Sequence, residues 1–343
     1  MIQPDLTGLS ALFTALPLGV ATIPGAPAPL LLTARAPRPD GTLSAEMAHA
    51  IGDLLRKRGA LLLRGLDITT APAASQLCDE VFAGQTAFTT GEHPQVVDGH
   101  GLYEPVRYAP EEKLMWHHEN SFNATWPQHI LFVAARPADE GGATPIVDGR
   151  LMHSRAPIEL REALQEHGII YERACDGRAG RSWQQIYATC DPQQAHDQAL
   201  ANGEALTFST GGARISAHRP AFQDTPYGAS WFNQLLHWHP QALPTEIRQM
   251  IADKLLPAYR TCRLGNGEAI PANSVETVRQ LHAAAEFPVR WRTGDVLMID
   301  NAVFAHGRDP YRGQRRHYVR MAGTRITGPA PRRQHPPAAP PAL

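Results

Sequence analysis

A chain of 343 residues with 43% hydrophobic side chains can bury a large core, and a formal net charge of −1 excludes a general nucleic-acid binder or a dedicated partner for acidic surfaces. Lysine is confined to Lys57, Lys113 and Lys254, so nearly all positive charge is arginine, the side chain suited to fixed, two-pronged carboxylate contacts. Cys78, Cys175, Cys190 and Cys262 form no C-x-x-C pair, which argues against a disulfide framework and a thiolate zinc site.

In chain order, residues 1–40 are rich in Pro and Ala and show little periodicity. No basic segment precedes the first apolar stretch, Pro17, Pro24, Pro27 and Pro29 interrupt the residues after it, and no run has membrane-spanning length, so a cytoplasmic protein without membrane contact is expected. A helix is predicted from Ser44, its cap, to Lys57, with Met47, Ile51, Leu54 and Leu55 on one face. Gly59 ends it, and Ala60–Leu63 reads as a short buried strand closed by Arg64-Gly65. A second helix is expected over Ala73–Phe82, strand-like alternation over Gly101–Arg107, and a strand over His129–Ala135. Pro157–His167 reads as a helix and Ile169–Tyr171 as a strand, followed by a loop-rich middle over about residues 176–228. Ser230–Gln234 is strand-like; Thr245–Leu256 and Val275–Ala285 are helical. Trp291–Phe304 gives the cleanest strand signal, fed by a Thr293-Gly294-Asp295 turn, and His317–Gly323 is the last strand. Short strands dispersed among helices fit a mainly β fold, a distorted jelly roll with peripheral helices, forming one domain over residues 1–327. Residues 328–343, dense in proline, read as a disordered tail.

Two segments carry the chemistry. In Trp116-His117-His118-Glu119-Asn120-Ser121-Phe122, side chains two apart on a strand share a face, so His117 and Glu119 can meet one ion while His118 points away. A second imidazole, His306, follows the apolar strand of Asp300-Asn301-Ala302-Val303-Phe304-Ala305-His306. Two imidazoles and one carboxylate suit Fe(II) and leave coordination positions open. Arg316 lies just past His306, where a guanidinium can fork onto a carboxylate inside the barrel, and Thr144 after Gly141-Gly142 offers a hydroxyl to the same group. Asn120 and Asn233 can reach substrate polar groups, although either can equally cap a turn. His237 and His239 have no carboxylate or cysteine at zinc spacing and read as structural.

The set Trp116-His117-His118-Glu119, Glu140-Gly141-Gly142-Ala143-Thr144-Pro145, Gly294–Asn301, Ala305-His306-Gly307-Arg308 and Arg315-Arg316-x-x-x-Arg320 resembles the taurine dioxygenase/clavaminate synthase family of Fe(II)/2-oxoglutarate enzymes. Trp231–Gln234 and Gly265-Asn266-Gly267 extend the likeness toward the syringomycin-type branch, which hydroxylates amino acids, free or carrier-bound, in antibiotic biosynthesis. The resemblance implies a double-stranded β-helix, with His117, Glu119 and His306 as iron ligands and O2 and 2-oxoglutarate as co-substrates. It also implies that Arg316 and Thr144 bind the distal carboxylate of 2-oxoglutarate, and that Arg320 lies near the co-substrate or the substrate's acid group. The H-x-E form departs from the commoner H-x-D and weakens analogy with the taurine enzyme itself; a carboxylate at this place also argues for oxygen transfer rather than halogenation.

The activity expected is hydroxylation of an unactivated C–H in a small substrate, with succinate and CO2 as co-products. Desaturation, epoxidation, cyclisation or sulfonate cleavage are alternative outcomes of the same cofactors. A zinc hydrolase on the same ligands would leave Arg316 and Thr144 without a purpose, and a non-catalytic jelly-roll binding module would show no metal stoichiometry and ligand binding unaffected by chelators. Neither nucleic acid nor membrane is an expected partner, while an aminoacyl carrier protein is compatible with the resemblance.

Overall fold

The computed structural model describes residues 9–36, 43–88, 96–97, 99–105, 108–175, 177, 181–209, 212–256 and 258–331. The helix read from Ser44 runs Ala45–Arg58, with the Ser44 hydroxyl accepting from the Met47 amide at 3.3 Å. Gly59 closes it in the left-handed region at φ 75°, and a Cβ there would stand 2.8 Å from the Phe304 ring, so only glycine fits between this helix and the core. The second helix, Ala71–Val81, is capped by Thr70.

Two sheets face one another as a jelly roll. The larger has eight strands in the order Phe13–Pro17, Leu30–Ala34, Ala60–Arg64, Val296–Asp300, Thr125–Arg136, Arg316–Ile326, Leu102–Tyr103 and Val96–Val97. The smaller has four: Phe287–Val289, Thr144–Asp148, Phe304–Arg308 and Leu114–His117. Alternation along each strand explains the layers. Ile130, Leu297, Ile299, Val319 and Met321 of the larger sheet meet Ile146, Val289 and Phe304 of the smaller in the barrel interior. Leu131, Val133, Met298 and Tyr318, one position out of phase, pack instead under the two N-terminal helices.

A third, antiparallel sheet, in the order Glu204–Ser209, Gly212–Arg219, Ile169–Ala174 and Arg260–Leu264, covers the outer side of the smaller one. Its Tyr171 and Leu264 pack with Trp116, Phe122, Val147, Trp238 and the Ala272–Ala285 helix. This sheet, with the helices Trp183–Tyr187 and Pro192–Ala201, occupies much of the stretch read as loop. Phe13–Pro17 and Leu30–Ala34 likewise form strands where no periodicity was legible; both lie at or next to the sheet's edge, where proline is tolerated.

The segment read as one strand over Trp291–Phe304 is a strand, a turn and a strand. Val296–Asp300 belongs to the larger sheet and Phe304–Arg308 to the smaller, with Asp300–Val303 turning between them. Part of the Gly101–Arg107 reading and most of the proline-rich tail lie outside the described residues; Gly328–Pro331 are irregular. Among the described residues no helix is long and apolar enough to cross a membrane.

Candidate metal centre

The smaller sheet sets His306 beside His117 in register, with Ile146 on its other side. His117 ends its strand; Glu119 lies in the turn after it, where Asn120 takes φ 56°. The strand alternation expected for His117 and Glu119 therefore does not hold, because the chain leaves the sheet between them. The turn nevertheless carries the Glu119 carboxylate back, placing its Oε2 3.7 Å from His117 Nε2 and 4.0 Å from His306 Nε2. One ligand atom from each residue lies within 4.8 Å of the others. These gaps exceed hydrogen bonds and suit donors facing one common cation; two imidazoles and a carboxylate are the donor set of open ferrous sites.

Neighbours fix the donors in that posture. His117 Nδ1–H donates to the Met115 carbonyl at 2.9 Å, leaving Nε2 as the lone-pair nitrogen toward the centre. The same carbonyl accepts from His237 Nε2 at 2.8 Å, and the His237 and His117 rings meet edge to face at 4.7 Å. His306 is buried against Phe132, with 5.1 Å between ring centroids. Burial, reinforced by His117, holds the His306 pKa well below that of an ordinary histidine, so its imidazole stays neutral and able to ligate.

Asn301, fully buried in the turn before the His306 strand, clasps the turn that bears Glu119. Its Oδ1 accepts from the Glu119 amide at 2.8 Å, while Nδ2 donates to the carbonyls of Glu119 and Pro127, each at 3.0 Å. The Asn301 carbonyl accepts from His118 Nδ1 at 2.6 Å. His118 thus points away from the three donors, as expected. Asn301 had no assigned role in the sequence, although its place between two apolar strands marks a turn.

The arginines are arranged differently from expectation. A β-bulge interrupts pairing between Arg316 and His317, and beyond it His317 is buried while Arg316 is exposed. Arg315, two positions from His317, shares its environment. The Arg315 guanidinium lies 3.2 Å from His317 Nδ1 and over the Tyr311 ring, and no carboxylate pairs with it among the described residues. Its Nε–H is buried without an acceptor, and burial together with nearby Arg308 lowers its pKa to about 10. His317 packs edge-on against Trp291 at 4.9 Å, and the Trp291 indole donates to Thr144 Oγ1 at 3.1 Å. Thr144 sits two positions from Ile146, the neighbour of His306, so Thr144, Trp291, His317 and Arg315 make a polar track leading away from the three donors. Arg315 rather than Arg316 is the arginine on that track.

Arg320 lies on the opposite face of the strand. It donates to Asp79 at 2.7 Å and to the carbonyls of His100 and Gly101, which commits it to the helix side of the larger sheet, away from the centre. Asn233 is also spent on backbone, donating to Ala221 O and accepting from the Leu235 amide. Asn120 is buried with neither amide atom partnered. His239 bonds Ile270 O and caps the Pro240–Ala242 turn, a structural role as expected.

The chain matches the model of the taurine catabolism dioxygenase TauD, TfdA family over residues 28–322, and it belongs to that family. It is therefore a 2-oxoglutarate-dependent dioxygenase that uses Fe(II) and O2, as the family does. It is 31% identical over 274 residues to the dapdiamide synthesis protein DdaC of Enterobacter agglomerans, covering 78% of this chain and 83% of that one. A clavaminate synthase-like protein of Arabidopsis thaliana is 25% identical over 285 residues, covering 78% and 82%. Among solved structures, PvcB of Pseudomonas aeruginosa superposes with a TM-score of 0.52 at 16% identity over 91% of each chain, a likeness of fold.

Proposed function

We propose that this dioxygenase hydroxylates an unactivated C–H of an amino acid, free or tethered to a carrier protein, in secondary metabolism. The observation that carries the reading is the convergence of His117, Glu119 and His306 at one end of a track whose other end is the Arg315 guanidinium, which no carboxylate among the described residues pairs with. In this reading the three donors hold Fe(II), and Arg315 with Thr144 takes the distal carboxylate of 2-oxoglutarate. The bound metal and co-substrate supply the oxidising equivalents, with succinate and CO2 released. The protein keeps His306 neutral, holds Glu119 through its backbone, and packs Phe132 against His306 to limit water there. Glu119 favours oxygen transfer, since a carboxylate occupies the position a halide would need. The 31% identity to a protein named for dapdiamide synthesis supports an amino-acid-derived natural product as the setting.

The test is succinate release in air from purified protein loaded with Fe(II) and 2-oxoglutarate, with and without candidate amino acids. His117→Ala and His306→Ala should each abolish release and the Fe(II)–2-oxoglutarate absorption band. Full turnover in both variants would remove the proposed ligand set.

A further inference from the structure

The third sheet, which covers the outer side of the smaller one, carries a row of side chains that changes character along its length. Between Ile169–Ala174 and Arg260–Leu264 the register pairs Ile169 with Leu264, Tyr171 with Cys262 and Arg173 with Arg260. Alternate positions share a face, so these three pairs form one row. The first two belong to the apolar cluster around Phe122 and Trp238. The third sets two guanidinium side chains directly opposite one another, an arrangement that repels.

The reverse face resolves its charges within the protein: Arg263 forks onto Glu172 at 3.0 and 3.2 Å. Arg260 has no such partner. No carboxylate pairs with it among the described residues, and its Nε–H is buried without an acceptor. Its guanidinium lies over the Trp238 ring at 5.1 Å, and that ring stands 4.9 Å from Phe122. Arg173 lies over Phe122 at 5.9 Å; it is buried and has partners of its own. The arrangement adjoins the metal centre. Trp238 follows His237, whose ring touches His117, and Phe122 is three positions after Glu119.

We propose that Arg260 is the anchor for a carboxylate of the organic substrate, held on the Trp238–Phe122 shelf beside the three metal-ligating donors. A carboxylate arriving there gives the Nε–H its missing acceptor. Guanidinium is weakly hydrated and stacks on aromatic rings, so the shelf holds it charged at small cost. An amide in place of the acid supplies no negative charge to the Arg260 guanidinium. Selection of acid over amide is the direct consequence. The proposal rests on the dioxygenase reading above for which ligand arrives, while the site itself depends only on the arginine and its surroundings.

Thermal unfolding of the full chain tests it, first with Mn(II) and 2-oxoglutarate alone, then with both saturating and a panel of probes added. The panel is the proteinogenic L-amino acids and short mono- and dicarboxylates, each beside its primary amide. Saturating 2-oxoglutarate occupies Arg315, so any further acid-specific stabilisation reports another site. The expected result is that at least one acid stabilises wild type more than its amide. Arg260→Met should weaken that acid's apparent affinity ~10–100-fold, the range for losing a charged hydrogen-bond partner. Arg260→Lys, which keeps the charge, guards against a simple folding defect and should retain part of the effect. The proposal is overturned if no acid surpasses its amide, or if the preference survives intact in Arg260→Met. Failure of Mn(II) and 2-oxoglutarate to stabilise wild type would instead count against the dioxygenase reading, whatever the Arg260 arms show.

Discussion

Arg315 and Arg316 differ by one position and by the surroundings each side chain meets, and that difference makes a prediction. The guanidinium of Arg315 is mostly withdrawn from water with no carboxylate partner among the described residues, a costly state unless an anion completes it. Arg316 is solvated and costs nothing to leave alone. Arg315→Met should therefore weaken 2-oxoglutarate binding ~10–100-fold, with Arg316→Ala changing it less than about threefold. Titrating 2-oxoglutarate into the Fe(II) protein without oxygen, and following the charge-transfer absorption, separates the two. A large loss in Arg316→Ala with none in Arg315→Met would restore the assignment that the family motif implies. Residue types were legible at this scale: the sequence picks out His117, Glu119, His306 and Thr144, and the structure gathers the first three within 4.8 Å. Which of two adjacent arginines enters was not legible. Arg315 is in phase with His317, Val319 and Met321, which face the barrel interior, but which parity turns inward is set by pairing with Thr125–Arg136, and nothing in the local composition marks it.

At the scale of elements, the two imidazoles and the carboxylate come from one strand, one turn and another strand, and a single amide ties them. Asn301 opens the turn between Val296–Asp300 and Phe304–Arg308, and its side chain clasps both backbone groups of Glu119. The hairpin-like crossover that delivers His306 thus also sets where Glu119 stands. Asn301→Asp keeps an acceptor for the Glu119 amide but sets negative charge against the Glu119 and Pro127 carbonyls. Metal affinity should fall ~10–100-fold, as for other residues that orient ligands. Competitive titration with Co(II) would show it, and the Co(II) spectrum would report altered geometry even where unfolding temperature is preserved. Unchanged affinity and spectrum would reduce Asn301 to a turn residue. The crossover was hidden from sequence because Val296–Ile299 and Val303–Ala305 are both apolar, and periodicity does not reveal that a chain changes sheets. The covering sheet was hidden for another reason. Its Gly212–Arg219 and Glu204–Ser209 strands mix polar and small residues; the first takes its order from pairing with Ile169–Ala174 and the second from pairing with the first, rather than from their own pattern.

For the whole molecule, the packing that makes the centre dry also loads the fold with neutral histidines. Burial lowers His118 to about 3 and His282 to about 4. Burial, with Arg56 and Arg325 adding to it, lowers His129 to about 4. In the unfolded chain each titrates near 6.5, so between roughly pH 4 and 6.5 the unfolded state binds about three more protons through these groups. Stability from them is present above pH 6.5 and lost as the pH falls toward 4. Asp300 opposes this. Burial raises its pKa to about 6, so the native state holds one proton that an unfolded aspartate has released between about 4 and 6. Among these four groups three against one leaves about two, or ~3 kcal/mol of stability lost per pH unit across that interval, and His237, His306 and His317, also lowered by burial, add to the loss in the same direction. The urea midpoint of the metal-free protein should therefore drop steeply from pH 6.5 to 4.5, and the slope should lessen by about one proton in His282→Gln. His282 packs between Trp116 and Trp231 at 5.6 and 6.5 Å and touches none of the three donors, so the variant reads burial alone. A midpoint that stays level over that range would mean these imidazoles take up protons in the native state, and that the interior around the centre is wetter than its packing indicates.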